Sequence, residues 1–149
     1  MQETITKTQS KSYDILVVED SQTFVTYFKD VLAKWNYPVS IISDGTEAWS
    51  AILRQPPKIL LLDWNLPGLD GVTICRKLRA LQNLRYVYVI ILTSNDQLKD
   101  KVTGFEAGAD DYVTKPFEPE FLHAKIKVGM RIVELEDHLS RKATQLVQS

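Results

Sequence analysis

The sequence predicts an α/β fold: a doubly wound (βα)5 parallel five-stranded sheet with an extended C-terminal helix. Short apolar, β-branched runs alternate with segments of helical spacing, five times over. The runs are continuously apolar rather than alternating, the pattern of strands buried on both faces of a parallel sheet. The length of 149 residues suits one domain, and 44% hydrophobic with 25% charged residues is the balance of an ordinary globule that buries its own core.

Taken in order, residues 1–12 are polar, rich in Thr, Gln, Ser and Lys, and are expected to form a flexible leader. Strands are predicted at 14–18, 38–42, 59–62, 87–93 and, shorter, 112–114. Phe24, Val25, Phe28, Val31 and Leu32 make the stripe of a first helix, with Asn36 near its stop. Asp44 caps a second, which carries Ala48, Trp49, Ile52 and Leu53. Asp70 opens a third, with Ile74, Leu78 and Leu81 on one face. Asp96 precedes a fourth that carries Leu98, Val102 and Phe105 and ends at Gly108. Pro119 fits the first turn of a fifth.

Several function classes are excluded by composition. A single cysteine, Cys75, leaves no intrachain disulfide framework and suits a reducing compartment, so the expected location is cytoplasmic. No apolar run is long enough to span a membrane, and no membrane partner is expected. The net charge of −1, with Lys and Arg scattered among Asp and Glu, gives no footprint for direct nucleic-acid binding.

Parallel α/β sheets gather their chemistry at the carboxyl ends of the strands. The first run is followed by Glu19 and Asp20, the third by Asp63, the fourth ends in Thr93 and Ser94, and the fifth leads into Lys115 and Pro116. One shallow cleft would therefore collect carboxylates, a hydroxyl and an ammonium. Asp20 and Asp63 side by side repel unless a cation intervenes. Hard oxygen ligands with room for water suit Mg²⁺. Asp63 can then act as a carboxylate nucleophile toward a phosphoryl group. Lys115, Thr93 and backbone N–H groups after the third strand would hold the phosphoryl oxygens. Each residue alone has a plainer reading: a cap or turn Asp, a surface lysine, a strand-end threonine. The coincidence of four such sets at four separate strand ends is what that plainer reading does not produce.

These residues resemble the response regulator receiver family of two-component signalling, and the stand-alone chemotaxis regulator in particular. The matching segments are Ile15-Leu16-Val17-Val18-Glu19-Asp20-Ser21, Leu61 to Gly71, Ile91-Leu92-Thr93-Ser94, and Ala107 to Phe117. They lie within a receiver domain placed at 13–131, with 132–149 left as an extension of the last helix. The resemblance implies the flavodoxin-like strand order 2-1-3-4-5. It implies that Asp63 accepts a phosphoryl group from a sensor histidine kinase or histidine phosphotransfer protein. Mg²⁺ would be held by Asp20, Asp63 and the backbone carbonyl of Asn65, with Glu19 acting through water. Thr93 and Lys115 would contact the phosphoryl oxygens, and Tyr112 would be the aromatic switch that follows Thr93. The face of the fourth helix, fifth strand and fifth helix would then change its preferred partner. Lys115-Pro116 would be cis. Asn65 and Asn95 stand at the two positions that tune phosphate lifetime, and both being small and neutral points to moderate or fast self-dephosphorylation.

A phosphatase using the same nucleophile needs a general acid two residues on, where Asn65 stands, so a switch rather than an enzyme is expected. A phosphorylation-independent adaptor is the remaining alternative. Cys75 reads as a core thiol, and His123 and His138 have no partner at metal-ligand spacing. Trp64, next to Asp63, should report metal or phosphate binding by its fluorescence. Helical character continues to the end of the sequence. Ile132, Leu139 and Leu146 at heptad position a, with Val128, Leu135 and Lys142 at d, form a seam with one charged intruder. Arg131-Ile132-Val133-Glu134-Leu135-Glu136 resembles the helical linker of receivers joined to diguanylate cyclase or phosphatase outputs, and the seam points to a parallel homodimer. The alternative is an amphipathic helix folded back on its own domain.

Overall fold

The structure is a computed structural model and describes residues 12–148. The expected leader, apart from exposed Ser12, lies outside the described residues. Ten elements alternate: β1 (Ile15–Val18), α1 (Gln22–Lys34), β2 (Val39–Ile42), α2 (Gly45–Arg54), β3 (Ile59–Asp63), α3 (Gly71–Ala80), β4 (Tyr88–Thr93), α4 (Leu98–Glu106), β5 (Asp111–Thr114) and α5 (Pro119–Gln148). All strand pairs are parallel and the order is β2-β1-β3-β4-β5. This is the doubly wound, flavodoxin-like topology that the resemblance implied.

The sheet divides two apolar layers. Leu16, Val18, Leu60, Leu62, Val89 and Ile91 point into the layer closed by α2 and α3. Ile15, Val17, Ile59, Leu61, Ile90 and Leu92 alternate into the other, closed by α1 and α5. β1, β3 and β4 are buried along their whole length. Each such Leu, Ile or Val contributes roughly 1.5–3 kcal/mol on burial, enough to fix these runs as the central strands. β2, at the sheet edge, is only half-buried, and in β5 only Val113 is fully buried. Burial on both faces therefore holds for the three inner strands and fails at the two edges.

Helix ends follow the capping residues closely. The Asp44 and Asp70 carboxylates accept from the N–H groups of Glu47 and Thr73, at 2.9 and 2.8 Å. Asn36, at φ 62, takes the left-handed conformation just past α1. Asp96 precedes α4, as expected, with Gln97 at the N-cap. Two expectations are corrected. Leu81 is the C-cap of α3, partly exposed, and not part of its inner face. The fourth helix turns its apolar residues outward: Leu98 is 76% exposed, and Val102 and Phe105 are exposed too. Its one buried residue is Gly104, over which the Tyr112 ring and Ile91 close to within contact of where a Cβ would stand.

α5 behaves in two parts. Leu122, Ile126, Gly129 and Val133 bury against the sheet, and Arg85 pairs with Asp137 at 2.5 Å to hold the helix down. Beyond Asp137 every described residue is exposed, Leu139, Leu146 and Val147 among them. One continuous helix thus packs on the domain as far as Asp137 and runs on exposed beyond it.

Candidate functional site: the acidic cleft at the carboxyl edge

The parallel register decides where side chains meet. Val18 pairs with Leu62, and Asp63, the last residue of β3 rather than the first after it, pairs with Leu92. Asp63 and Thr93 therefore end neighbouring strands at the same edge. Glu19 and Asp20 follow β1, and Lys115 follows β5. Among the described residues, the buried polar or charged ones are Glu19, Asp63 and Thr93. A strand-end carboxylate at this depth costs several kcal/mol unless compensated, so their burial marks a site.

One oxygen from each of Glu19, Asp20 and Asp63 lies within 4.8 Å of the others. A single ammonium faces this group. Lys115 Nζ donates to Glu19 Oε1 at 2.7 Å and stands 3.6 Å from Asp63 Oδ2. The ammonium thus leans on Glu19, which also accepts from the Ser21 N–H at 3.1 Å. Burial and the neighbouring Glu19 push the Asp63 carboxyl up to about 6, outweighing Lys115 and the N–H donated by Asn65, which pull the other way. Three carboxylates against one ammonium leave a surplus of negative charge, which a small oxygen-seeking cation would neutralise.

Around the cleft, the Asn95 N–H reaches the Thr93 Oγ at 3.4 Å. The Tyr112 hydroxyl donates to the Asn95 carbonyl at 2.8 Å, and its ring meets Trp64 edge-on with centroids 6.4 Å apart. Tyr112 thereby touches both the loop after Thr93 and the residue after Asp63. Lys115-Pro116 is cis. Every residue singled out in the sequence (Glu19, Asp20, Asp63, Asn65, Thr93, Asn95, Tyr112 and Lys115) lies in or beside this one cleft.

Two participants were missed. Phe24 belongs to the apolar stripe of α1, yet its ring lies 4.1 Å from Lys115 Nζ and lines the cleft. An aromatic residue one turn past an acidic pair was the available signal. Gly104, which makes room for Tyr112, leaves no apolar signal at all.

Elsewhere the plainer readings stand. Cys75 is buried, and burial pushes its thiol up to about 11, far from a reactive thiolate. His123 stacks on Trp35 at 4.1 Å, shares a 3.3 Å hydrogen bond with the Tyr37 hydroxyl, and is held below the usual histidine range by burial and Lys127. His138 is exposed. No helix among the described residues is long and apolar enough to cross a membrane.

Fold and cleft together define a class: a doubly wound α/β domain with an acidic cluster and one ammonium at the carboxyl edge of its parallel sheet. The family model described as the response regulator receiver domain matches residues 15–127. The chain belongs to this family of two-component signalling, whose members are phosphoacceptor switches phosphorylated on an aspartate. It is 41% identical over 121 residues to the alkaline phosphatase synthesis transcriptional regulatory protein PhoP of Bacillus subtilis, covering 81% of this chain and 50% of that protein. It is 38% identical over 117 residues to the DNA-binding response regulator MtrA of Mycobacterium tuberculosis, covering 78% and 50%. The chain thus spans about half the length of the curated relatives it matches. Among solved structures, the BeF3-activated N-terminal receiver domain of Klebsiella pneumoniae RstA superimposes with a TM-score of 0.73 at 34% identity, covering 78% of this chain and 97% of that one. The receiver domain of a Pseudomonas aeruginosa sensor histidine kinase, with a magnesium ion coordinated in its active-site cleft, gives 0.71 at 33% identity, covering 83% and 99%.

Proposed function

We propose that Asp63 is the phosphoacceptor of this receiver domain and that a sensor histidine kinase or histidine phosphotransfer protein is its donor. The observation that carries the reading is the company Asp63 keeps: a buried nucleophilic carboxylate with one ammonium 3.6 Å away and two further carboxylates beside it. The surplus charge fits Mg²⁺, which Asp20, Asp63 and the Asn65 carbonyl would hold, with Glu19 acting through water. The ion would supply charge to offset that of the incoming phosphoryl group. Lys115 exchanges its lean on Glu19 for a phosphoryl oxygen, and the Thr93 hydroxyl donates to another. Drawing Thr93 toward the phosphate pulls on the 93–95 loop, and the Tyr112 hydroxyl, bonded to the Asn95 carbonyl, follows it. Leu98, Val102 and Phe105 on α4 and Phe121 on α5 supply the exposed apolar surface that this movement re-presents to a partner.

Asn65 and Asn95 neither block nor repel a water at Asp63, so the phosphoprotein should decay well within hours. The chain serves as a switch that assists only its own phosphorylation and dephosphorylation. Residues 13–131 act as the receiver. Residue 149 of the expected extension lies outside the described residues, and the last helix continues from 132 to 148 as a signalling extension. There Leu135, Leu139 and Leu146 form the exposed seam of a parallel homodimer.

Beryllofluoride with Mg²⁺, which mimics the phosphoryl group, tests both halves. Trp64 fluorescence should change in wild type and not in Asp63→Asn. Light scattering should show a rise in dimer only in wild type. A wild type that does not respond to beryllofluoride counts against the site, and an oligomeric state indifferent to it counts against the output.

A further inference from the structure

The ammonium of Lys115 makes three contacts, of which the reading of Asp63 as phosphoacceptor uses two. Glu19 Oε1 lies at 2.7 Å and Asp63 Oδ2 at 3.6 Å. The third is the face of Phe24, with the ring centroid 4.1 Å from Nζ. Lysine is a compact charge on a flexible four-carbon stem, free to swing into water unless something closes that side. Here the side chain is only 10% exposed, in a cleft that is otherwise open and lined by Phe24.

The ring is itself braced. Its centroid lies 6.3 Å from Phe28, 6.4 Å from Tyr27 and 6.5 Å from Phe117, and Phe28 stacks with Phe117. Phe117 follows the Lys115-Pro116 pair in sequence. The aromatic cluster therefore ties the first turn of α1 to the segment that carries the lysine. A ring face attracts a cation through its quadrupole, and the attraction grows when water is excluded. It does so without offering a second anion to compete with the phosphoryl oxygen.

We propose that Phe24 is a positioning residue for phosphoryl acceptance: it holds the Lys115 ammonium over the cleft through its ring face. The proposal rests on Asp63 being the acceptor. Leucine at this position keeps apolar packing against Phe28 and Phe117 but has no ring face, so Phe24→Leu separates positioning from core filling.

The test compares wild type, Phe24→Leu, Phe24→Tyr and both the wild-type and Leu forms in a Lys115→Met background. Phosphorylation by phosphoramidate with Mg²⁺ is followed by intact mass. Phe24→Leu should slow it about threefold to thirtyfold, the range a cation–π contact spans from exposed to desolvated sites. Phe24→Tyr should stay within about twofold of wild type, because it keeps the ring. In the Lys115→Met background, Phe24→Leu should have no further effect. Proton NMR of the metal-free protein supplies a readout independent of turnover. The Lys115 ε-methylene protons should be shifted upfield by the ring in wild type and Phe24→Tyr, and lose that shift in Phe24→Leu. An unchanged rate in Phe24→Leu, or an equal loss with and without Lys115, overturns the proposal. A wild type that takes no phosphoryl group on Asp63 overturns the underlying reading instead, and the NMR shift then shows whether the ring holds the lysine at all.

Discussion

Asp63→Asn is expected to stabilise the metal-free fold at neutral pH by about 1–3 kcal/mol, while removing the phosphoacceptor. The reason is the position of the carboxyl. It is buried beside Glu19, and its affinity for a proton rises from the ordinary 3.8 to about 6. A carboxyl with a raised value binds protons more tightly folded than unfolded, so ionising it works against folding. The penalty is absent below about pH 4, grows as pH rises toward 6, and is constant above that. A neutral amide of the same shape avoids it, and Lys115 keeps Glu19 as a partner at 2.7 Å. Urea unfolding of both proteins from pH 4 to 8 should give curves that converge at acid pH and separate above pH 6. Equal stabilities at pH 7.5, or a gap that persists undiminished at pH 4, would show that the charge of Asp63 is not the cause.

Gly45→Ala should have the largest effect on stability, a loss of about 3 kcal/mol, the upper end of overpacking costs. A Cβ at Gly45 would stand 1.7 Å from the Leu69 carbonyl oxygen, and that oxygen belongs to the main chain. A side chain in the way could rotate aside. Here the loop after Asp63 must move, and it is pinned from both sides. The Gly45 N–H donates to the Pro67 carbonyl at 2.9 Å, and Gly68, at φ 79, lies against Thr46 and Asp44. The same loop carries Asn65, so its displacement should also weaken beryllofluoride binding. For a chain of this size, about 3 kcal/mol corresponds to a fall of roughly 6–12 °C in Tm. A fall of one or two degrees, with unchanged beryllofluoride affinity, would mean that the loop yields and does not clamp the helix.

The chemistry of the cleft was more legible in the sequence than its mechanics. Asp20, Asp63, Thr93 and Lys115 each end an apolar run, and parallel strands put such ends on one edge. The interior strands could be read because continuous apolarity survives in β1, β3 and β4. Strand order entered through the family resemblance, since periodicity says which residues are buried and not which strands are neighbours. The packing of α4 was hidden for a physical reason. Its contact with the sheet runs through Gly104, a residue with no side chain, while its apolar residues face outward. A pattern of Leu, Val and Phe at helical spacing cannot distinguish a core face from an unpartnered one. Phe24 was obscured in the converse way. It lies on a true core stripe, and only the three-dimensional arrangement puts its ring against the ammonium. Likewise, that Lys115 leans on Glu19 and not on Asp63 depends on fractions of an ångström that no spacing encodes.

Whether Asp63 receives the phosphoryl group is decided by mapping the modified residue. Wild-type protein is incubated with phosphoramidate and Mg²⁺, trapped by borohydride reduction of the acyl phosphate, and digested for mass spectrometry. One modified site is expected, Asp63 reduced to homoserine, in the peptide spanning 59–76, and none when Mg²⁺ is chelated. Modification at Asp20, at His138, or at no residue would contradict Asp63 as the acceptor.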